Sequence, residues 1–557
     1  MKFKEKIGNI KERILANKFY LWSMLGVLTF LCFMAPGLLY SVIKEDYTVK
    51  VEYGFLALFI PMALFLAVAK TAIVYIVLVL IILMEMIQFG HIVYFGIPLN
   101  PFVIETILSE MAEITESGIG IISKIWYFPF LILLPYGLLI VLYKKTSKNR
   151  KQYHTATIFL ILLLAYFPRR VLRKESAINN MMPMDTRISL YNSFRSFSGF
   201  FFNRLPKLIS KKEPVSKEEY IEYVVEKDDI NAPINVIVVM GESVNYAQMS
   251  LFGYERDTTP LLKQMSQEDK NFVYKEAISS GVTTLISTSM FFNIRREPDN
   301  VKHSLSRKAD MFKLAKNNGF TTTYFSAQAE NLMTSLSSNH VDEVVTKEDM
   351  ANKLEKHGEI YLVDYFKENK QKLLKSNKNF LVIHQRNIHS PYKHNYKSQH
   401  EKFSRYNSSN GSKDSYMIDT YDNAMLYNDY FLFELLNVIR QETEGTPTYL
   451  FFVSDHGEAM GKNGKFGHAF LAEEVAEIPF FATLYWAEDN DFKKEIENLF
   501  YPTHYEIGKI IAKRLGYKII NPNEEENVFF INGPNIFGTA GYISVTKDSA
   551  NNKVEFK

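Results

Sequence analysis

Charge is missing from long stretches of the first 170 residues, and that absence constrains this chain more than any other feature. No Asp, Glu, Lys or Arg occurs from Phe19 to Ile43, from Tyr53 to Ala69, from Ile125 to Tyr143 or from Gln152 to Pro168. Thr71 to Met84 is also uncharged, and its apolar pattern continues past Glu85 to about Phe95. A helix needs about 20 apolar residues to cross the hydrocarbon core, with a range of about 17–25. The pattern predicts five transmembrane helices. The basic stretches MKFKEKIGNIKERILANK before the first and KKTSKNRKQ between the fourth and fifth belong on the cytoplasmic side. Five alternating spans then place the loop 96–123, and everything after the fifth helix, on the opposite side. RRVLRK at 169–174 runs against this bias. The opening stretch does not read as a cleavable signal peptide, because its apolar region is too long.

With 557 residues the chain exceeds one ordinary domain. Its net charge of +3 gives no reason to expect a nucleic-acid partner. The single cysteine, Cys32, lies within an apolar run, which excludes an intrachain disulfide and any cysteine-rich zinc site. Three regions are expected: a transmembrane domain over 1–172, juxtamembrane amphipathic helices and linker over 173–230, and an α/β domain over 231–557. Within the third span, Glu85 reads either as a group facing a polar cavity or a lipid headgroup, or as a harmless interfacial residue. SLYNSFRSFSGFFFNRLPKL at 189–208 fits a helix lying on the bilayer with arginines toward headgroups, or one packed on the globular domain. The charged segment 210–229 reads as a connector and the polar segment 396–415 as an insert.

From about Asn231 the pattern changes to short apolar runs alternating with amphipathic segments. INVIVVMGES (234–243), FTTTYFSAQ (320–328), KNFLVIHQRNIHSPY (378–392) and TYLFFVSDHGE (448–458) are the clearest strands. Continuous apolar runs suit strands buried on both faces of a parallel sheet, with helices outside. Helices are expected over 259–267, 308–318, 359–374 and 421–443. In open α/β sheets ligands gather at the carboxyl ends of the strands. Three of the four runs carry ligand-type residues there: Glu242; His384 and His389; Asp455 and His456. His468 follows His456 by twelve residues across a loop rich in Gly and Lys. Oxygen and nitrogen donors without thiolate suit Zn2+. Gly457 is expected to let the chain turn tightly beside the metal.

A nucleophile is expected within SSGVTTLISTSMFF, 279–292, where hydroxyl residues follow a glycine at a helix start. The ordinary alternative is a Ser/Thr helix cap. His384 reads as a packing group rather than a ligand, and His504 as an ordinary surface or interfacial residue. Arg295 and Arg296 read as a solvated pair, or as contacts to an anionic substrate. Tyr254, Arg256 and Thr258 carry no assigned chemistry.

Together, GES after a strand, LFGYERDTTP at 251–260, SGVTTLIS, YDNAMLYND at 421–429, and SDHGE followed by NGKFGH resemble the lipid-dependent phosphoethanolamine transferases of Gram-negative bacteria, in order and in architecture. These enzymes belong to the alkaline phosphatase/sulfatase-like superfamily. The resemblance implies zinc ligands at Glu242, Asp455 and His456. It implies a threonine nucleophile at Thr284, also bound to the metal, with Thr283 in reserve. His389 and His468 would then hold a second zinc or the substrate phosphate. It implies one firmly held Zn2+ and leaves a second open. The implied donor is phosphatidylethanolamine, with membrane lipids around the helices. The implied acceptor is a glycolipid or glycan, foremost lipid A or the lipopolysaccharide or lipooligosaccharide core. The implied location is the inner membrane with a periplasmic catalytic domain.

The chain departs from the lipid A-modifying members in several places. Ser280 and Met290 stand at cysteine positions, Ser289 at a proline and Asn245 at an arginine, and FSAQAEN resembles members with other acceptors. Rival readings are a phosphoglycerol transferase of the same superfamily and a catalytically dead membrane scaffold. A sulfatase is disfavoured because no Cys/Ser-x-Pro-x-Arg signature occurs at 279–292.

Overall fold

The computed structural model describes residues 18–43, 53–95, 98–109, 127–147, 188–210, 219–329, 338–404, 413–535 and 541–557, with a few isolated positions between them. The chain divides into two compact units, 1–212 with 463–466 and 213–462 with 467–557.

The first unit is helical. Its described elements are α1 (Lys18–Ile43), α2 (Tyr53–Val68), α3 (Thr71–Phe95), α4 (Pro101–Ser109), α5 (Phe128–Ser147) and α6 (Ser189–Gly199). Three of these, α1, α3 and α5, are long and apolar enough to cross a membrane. α2 is apolar but spans 16 residues. Most of the expected fifth span, Gln152–Pro168, lies outside the described residues, as does 169–174. Leu64, Ile76, Leu83 and Leu134 stay exposed on these helices, as a lipid solvent requires.

Glu85 does not face lipid. It is fully buried, and its Oε1 accepts from the hydroxyls of Ser193 at 2.6 Å and Ser189 at 3.2 Å. α6 is therefore pinned to α3 within its own unit. Ser196 adds a hydroxyl bond to Leu99 O at 2.6 Å. The arginines of this segment turn toward protein: Arg204 pairs with Glu105 at 2.6 and 3.1 Å, and Arg195 donates to Met182 O. An apolar surround leaves a charged group no solvent, so each finds a polar partner.

The second unit is built on a seven-stranded sheet. In chain order its strands are β1 (Ile234–Gly241), β2 (Val273–Ile278), β3 (Thr321–Ser326), β4 (Glu343–Val345), β5 (Lys378–His384), β6 (Thr448–Ser454) and β7 (Glu477–Tyr485). Their spatial order is β2-β7-β6-β1-β5-β3-β4. All run parallel except β7, which is antiparallel to both β2 and β6. The expected largely parallel α/β sheet is present. β1 lies between β5 and β6 with Val236, Val238 and Met240 buried on one face and Ile237 and Val239 on the other, which accounts for its unbroken apolar run. Burying each such side chain contributes roughly 1.5–3 kcal/mol.

Two expectations shift. The 210–229 segment is not wholly a connector, because Val224–Lys227 pairs antiparallel with Tyr517–Ile520. The expected helix over 421–443 starts earlier and spans Lys413–Glu442. The polar insert is partly tied down: Lys402 N–H and Phe403 N–H both donate to Asn423 Oδ1 at 2.8 Å, while 405–412 lie outside the described residues.

Register brings the site together. Met240 of β1 lies opposite His384 of β5 and Val453 of β6, and Gly241 opposite Ser454. The residues that follow, Glu242, Gln385 and Asp455, emerge side by side at one edge of the sheet. The main chain binds across that edge, with Asp455 N–H donating to Gly241 O and Gln385 N–H to Met240 O.

Candidate active site

Glu242, Asp455 and His456 meet just beyond the ends of β1 and β6, each 0–1% exposed. His456 Nε2 lies 3.7 Å from Glu242 Oε1 and 3.4 Å from Asp455 Oδ2. The imidazole orientation is set by its other nitrogen. Nδ1 sits 2.8 Å from Gly457 O, and a carbonyl only accepts, so Nδ1 carries the proton and Nε2 presents a lone pair. Asp455 Oδ1 accepts from the main-chain N–H groups of Ser243 and His456 at 3.0 and 2.7 Å. Among the described residues no group donates a hydrogen bond to the buried Asp455 Oδ2.

Two buried carboxylates side by side repel each other and lose their hydration. Burial, with the Asp455 charge second, pushes Glu242 up to about 7, and burial pushes Asp455 up to about 6. Burial takes His456 down to about 4. A cation among them would remove the repulsion and satisfy the free Asp455 oxygen. The ligand atoms of the three lie within 4.8 Å of one another, as do those of His456, Glu458 and His468. Carboxylate and imidazole donors without sulfur fit zinc.

The turn holding Glu242 is tightly braced. Ser243 takes a left-handed φ of 58°, which costs a residue with a side chain. Its N–H is held by Asp455 and its carbonyl by the Tyr421 hydroxyl at 2.7 Å. Tyr421 lies on α8 (Lys413–Glu442). The motifs LFGYERDTTP and YDNAMLYND are braces of this kind rather than chemistry. Asp422 accepts from Arg256 and Tyr254, Asp419 accepts from Arg256, and Asp429 takes the N–H groups of Leu261 and Leu262.

Thr284 is the first residue of α7 (Thr284–Phe292). Its hydroxyl lies 3.2 Å from Glu242 Oε2 and 3.4 Å from His456 Nε2. Thr283 occupies the helix-cap position yet its side chain makes no capping bond. Gly281 is needed for the close approach to this helix, because a Cβ there would sit 3.0 Å from Ile286 Cγ2 and 3.2 Å from Ser287 N.

His468 stands against His456, ring centroids 4.3 Å apart, and its Nδ1 lies 2.7 Å from Glu458 Oε2. Burial alone would lower its pKa, but the Glu458 carboxylate outweighs that and lifts it to about 9. Glu458 also accepts from the Tyr392 hydroxyl. His389 lies 6.3 Å from His468 between ring centroids, with Nδ1 on Ser390 O at 2.7 Å, which leaves Nε2 as an acceptor. Burial, then the Arg386 charge, holds His389 well below the usual histidine range, so it stays neutral. His384 is buried behind the site with Nδ1 on the Tyr324 hydroxyl.

Several expectations need correction. Gly457 is not at a positive φ. It is required because a Cβ there would meet Glu477 O at 2.5 Å and Glu474 O at 2.6 Å. The turns fall instead at Gly461, Gly464 and Gly467, with φ of 103°, 69° and 89°. Gly457→Ala is therefore expected to destabilise the fold by about 1–3 kcal/mol, read as a lowered melting temperature. Arg295 and Arg296 are not solvated: they are 0% and 3% exposed and donate to the carbonyls of Glu297 and Val528. His504 is likewise fully buried.

Sequence reasoning also passed over two residues. Gln328 donates to Glu242 Oε2 at 2.7 Å and to Gln385 O at 2.8 Å, steadying the carboxylate. Glu458 orients His468. Both stood in quoted motifs, FSAQ and SDHGE, and their place at a strand end was the available signal.

A largely parallel sheet thus presents a carboxylate, an Asp-His pair and a helix-start hydroxyl at its carboxyl edge, a set of groups suited to phosphoryl or sulfuryl chemistry. Residues 234–497, most of the globular half, match the family described as Sulfatase. Among curated proteins the chain is similar to a Kdo(2)-lipid A phosphoethanolamine 7''-transferase of Salmonella typhimurium, 24% identical over 43% of this chain and 41% of that protein. It is also similar to phosphatidylethanolamine transferase Mcr-1 of Escherichia coli, 24% identical over 47% of this chain and 50% of that one. The match thus spans about half or less of these relatives. The fold is shared with an integral membrane lipooligosaccharide phosphoethanolamine transferase A from Neisseria meningitidis, with TM-score 0.59 and 18% identity, covering 89% of this chain and 95% of that one. The resemblance seen in the motifs and that of the whole chain therefore point to the same set of proteins.

Proposed function

We propose that this chain is an inner-membrane phosphoethanolamine transferase with its globular domain in the periplasm. It moves phosphoethanolamine from phosphatidylethanolamine to an envelope glycolipid, foremost lipid A or the lipopolysaccharide or lipooligosaccharide core. The observation that carries this reading is the Thr284 hydroxyl, 3.2 Å from Glu242 and 3.4 Å from His456, at the start of a helix.

Glu242, Asp455 and His456 would hold a zinc ion beside Thr284. When bound, the ion supplies positive charge that eases deprotonation of the nearby hydroxyl and offsets charge on the phosphoryl oxygens. Thr284 Oγ1, its proton lost to solvent, forms a bond to phosphorus, and the bond from phosphorus to the diacylglycerol oxygen breaks. Diacylglycerol leaves with a proton, for which His468, charged by its Glu458 partner, is the donor in reach of the site. The phosphoethanolamine is then esterified to Thr284. The acceptor oxygen attacks that ester, its proton recharges His468, left neutral by the first step, and the Thr284 oxygen is released deprotonated as at the start, with neutral His389 offering Nε2 as a hydrogen-bond acceptor. The first α7 residues present their N–H groups toward the phosphoryl oxygens. The spanning helices keep the enzyme where its donor is found.

The test is the consumed lipid. Membranes containing the enzyme and labelled phosphatidylethanolamine or phosphatidylglycerol are expected to release diacylglycerol from the first alone. Envelope glycolipids should gain one phosphoethanolamine by mass spectrometry. Consumption of phosphatidylglycerol instead would assign the chain to the phosphoglycerol transferases.

A further inference from the structure

Two residues remote in sequence grip the segment that carries Thr284. His504 opens α9 (His504–Arg514) and is fully buried. Its Nδ1 accepts from Ser280 N–H at 3.1 Å and faces the Ser280 hydroxyl at 3.0 Å. Its other nitrogen lies 2.8 Å from Ser454 O. A main-chain N–H can only donate and a carbonyl can only accept, so the ring is fixed as one neutral tautomer. Ser280 lies four residues before Thr284, and Ser454 immediately precedes Asp455. One imidazole therefore joins the strand that supplies two ligand residues to the loop that supplies the hydroxyl.

Asn532 grips the same loop from the other side and is also fully buried. Its N–H donates to Ser280 O at 2.8 Å and its carbonyl accepts from Val282 N–H at 3.1 Å. Its side-chain amide donates to Met290 Sδ at 3.1 Å and to Pro298 O at 2.8 Å. It thus holds the approach to α7 and, through Met290, the far part of the same helix.

We propose that His504 and Asn532 are positioning residues that set the Thr284 hydroxyl against Glu242 and His456. This rests on the reading of Thr284 as nucleophile. α7 has only nine residues and no side-chain cap of its own, so its start is placed from outside. A reacting group displaced by about 1 Å can lose about 100-fold in rate. Neither residue touches the ligand atoms, so loss of the grip changes the approach of the hydroxyl, not the existence of the metal site.

The test uses the full-length protein in detergent with labelled phosphatidylethanolamine. It compares His504→Phe, Asn532→Leu and Thr284→Ala, and reads kcat, KM, zinc content and melting temperature. His504→Phe and Asn532→Leu are expected to lower kcat about 10–100-fold, with KM and zinc content within about 2-fold of the parent. The idea is overturned if either variant keeps kcat within about 3-fold while Thr284→Ala is inactive. It is equally overturned if the loss merely tracks zinc loss or the unfolded fraction. Should His504→Phe not fold, Asn532→Leu, which keeps the main-chain bonds to Ser280 and Val282 and removes the amide's bonds to Met290 Sδ and Pro298 O, tests the grip on the far part of α7. If Thr284→Ala itself retains activity, the nucleophile assignment fails, and the positioning role falls with it.

Discussion

Thr284→Ala is expected to lower transfer by on the order of 1,000-fold or more while leaving the fold and zinc content unchanged. The side chain is half-buried at a helix start, so losing its hydroxyl and methyl removes little packing. What disappears is the oxygen between Glu242 and His456. Thr283→Ala, by contrast, is expected to keep most of the activity, because that side chain makes no capping bond. The check is steady-state transfer from labelled lipid, together with mass spectrometry of the peptide spanning 279–292. A phosphoethanolamine adduct on Thr284 in the parent, absent in Thr284→Ala, is the expected result. An adduct on Thr283 would move the nucleophile by one residue.

Removal of the metal should have an effect of comparable size. Dialysis against a chelator is expected to abolish transfer, and added Zn2+ to restore it. Stability should fall as well. Without a cation, Glu242 and Asp455 are buried acids facing each other, and burial pushes them up to about 7 and about 6. A ligand present at about 1,000 times its dissociation constant stabilises the folded state by about 4 kcal/mol. The melting temperature of the globular domain should therefore drop on chelation and recover with Zn2+. Asp455→Asn should reproduce both losses without chelator, since an amide supplies no compensating negative charge. An Asp455→Asn protein with full zinc content and activity would remove Asp455 from the ligand set.

How much of this was legible beforehand can be judged residue by residue. Glu242, Asp455 and His456 stood out because each ends a continuous apolar run, and the end of a buried parallel strand is where such a sheet opens to ligands. Thr284 and Thr283 could not be separated by local sequence, because both are hydroxyls at a helix start. Their orientations differ only once the helix is packed. Arg295, Arg296 and His504 were misread for a shared reason. Sequence gives a polar side chain no mark of burial; the partners here are main-chain carbonyls, at 297 two residues from Arg295, and at 528 and 454 on distant segments for Arg296 and His504.

By itself the sequence determined the kind of fold, apolar helices first and an α/β sheet after them. Apolar windows without charge can satisfy their backbone only as helices in lipid, and unbroken β-branched runs only as strands buried on both faces. These are properties of single segments, set by solvent and period. The tertiary structure alone decided which polar groups converge. Pairing of β1 with β5 and β6 put Glu242 beside Asp455, and His504 and Asn532 reached across 224 and 242 residues to the segment around Thr284. Such contacts depend on the register of strands and the packing of helices, to which no local pattern of residues is tied.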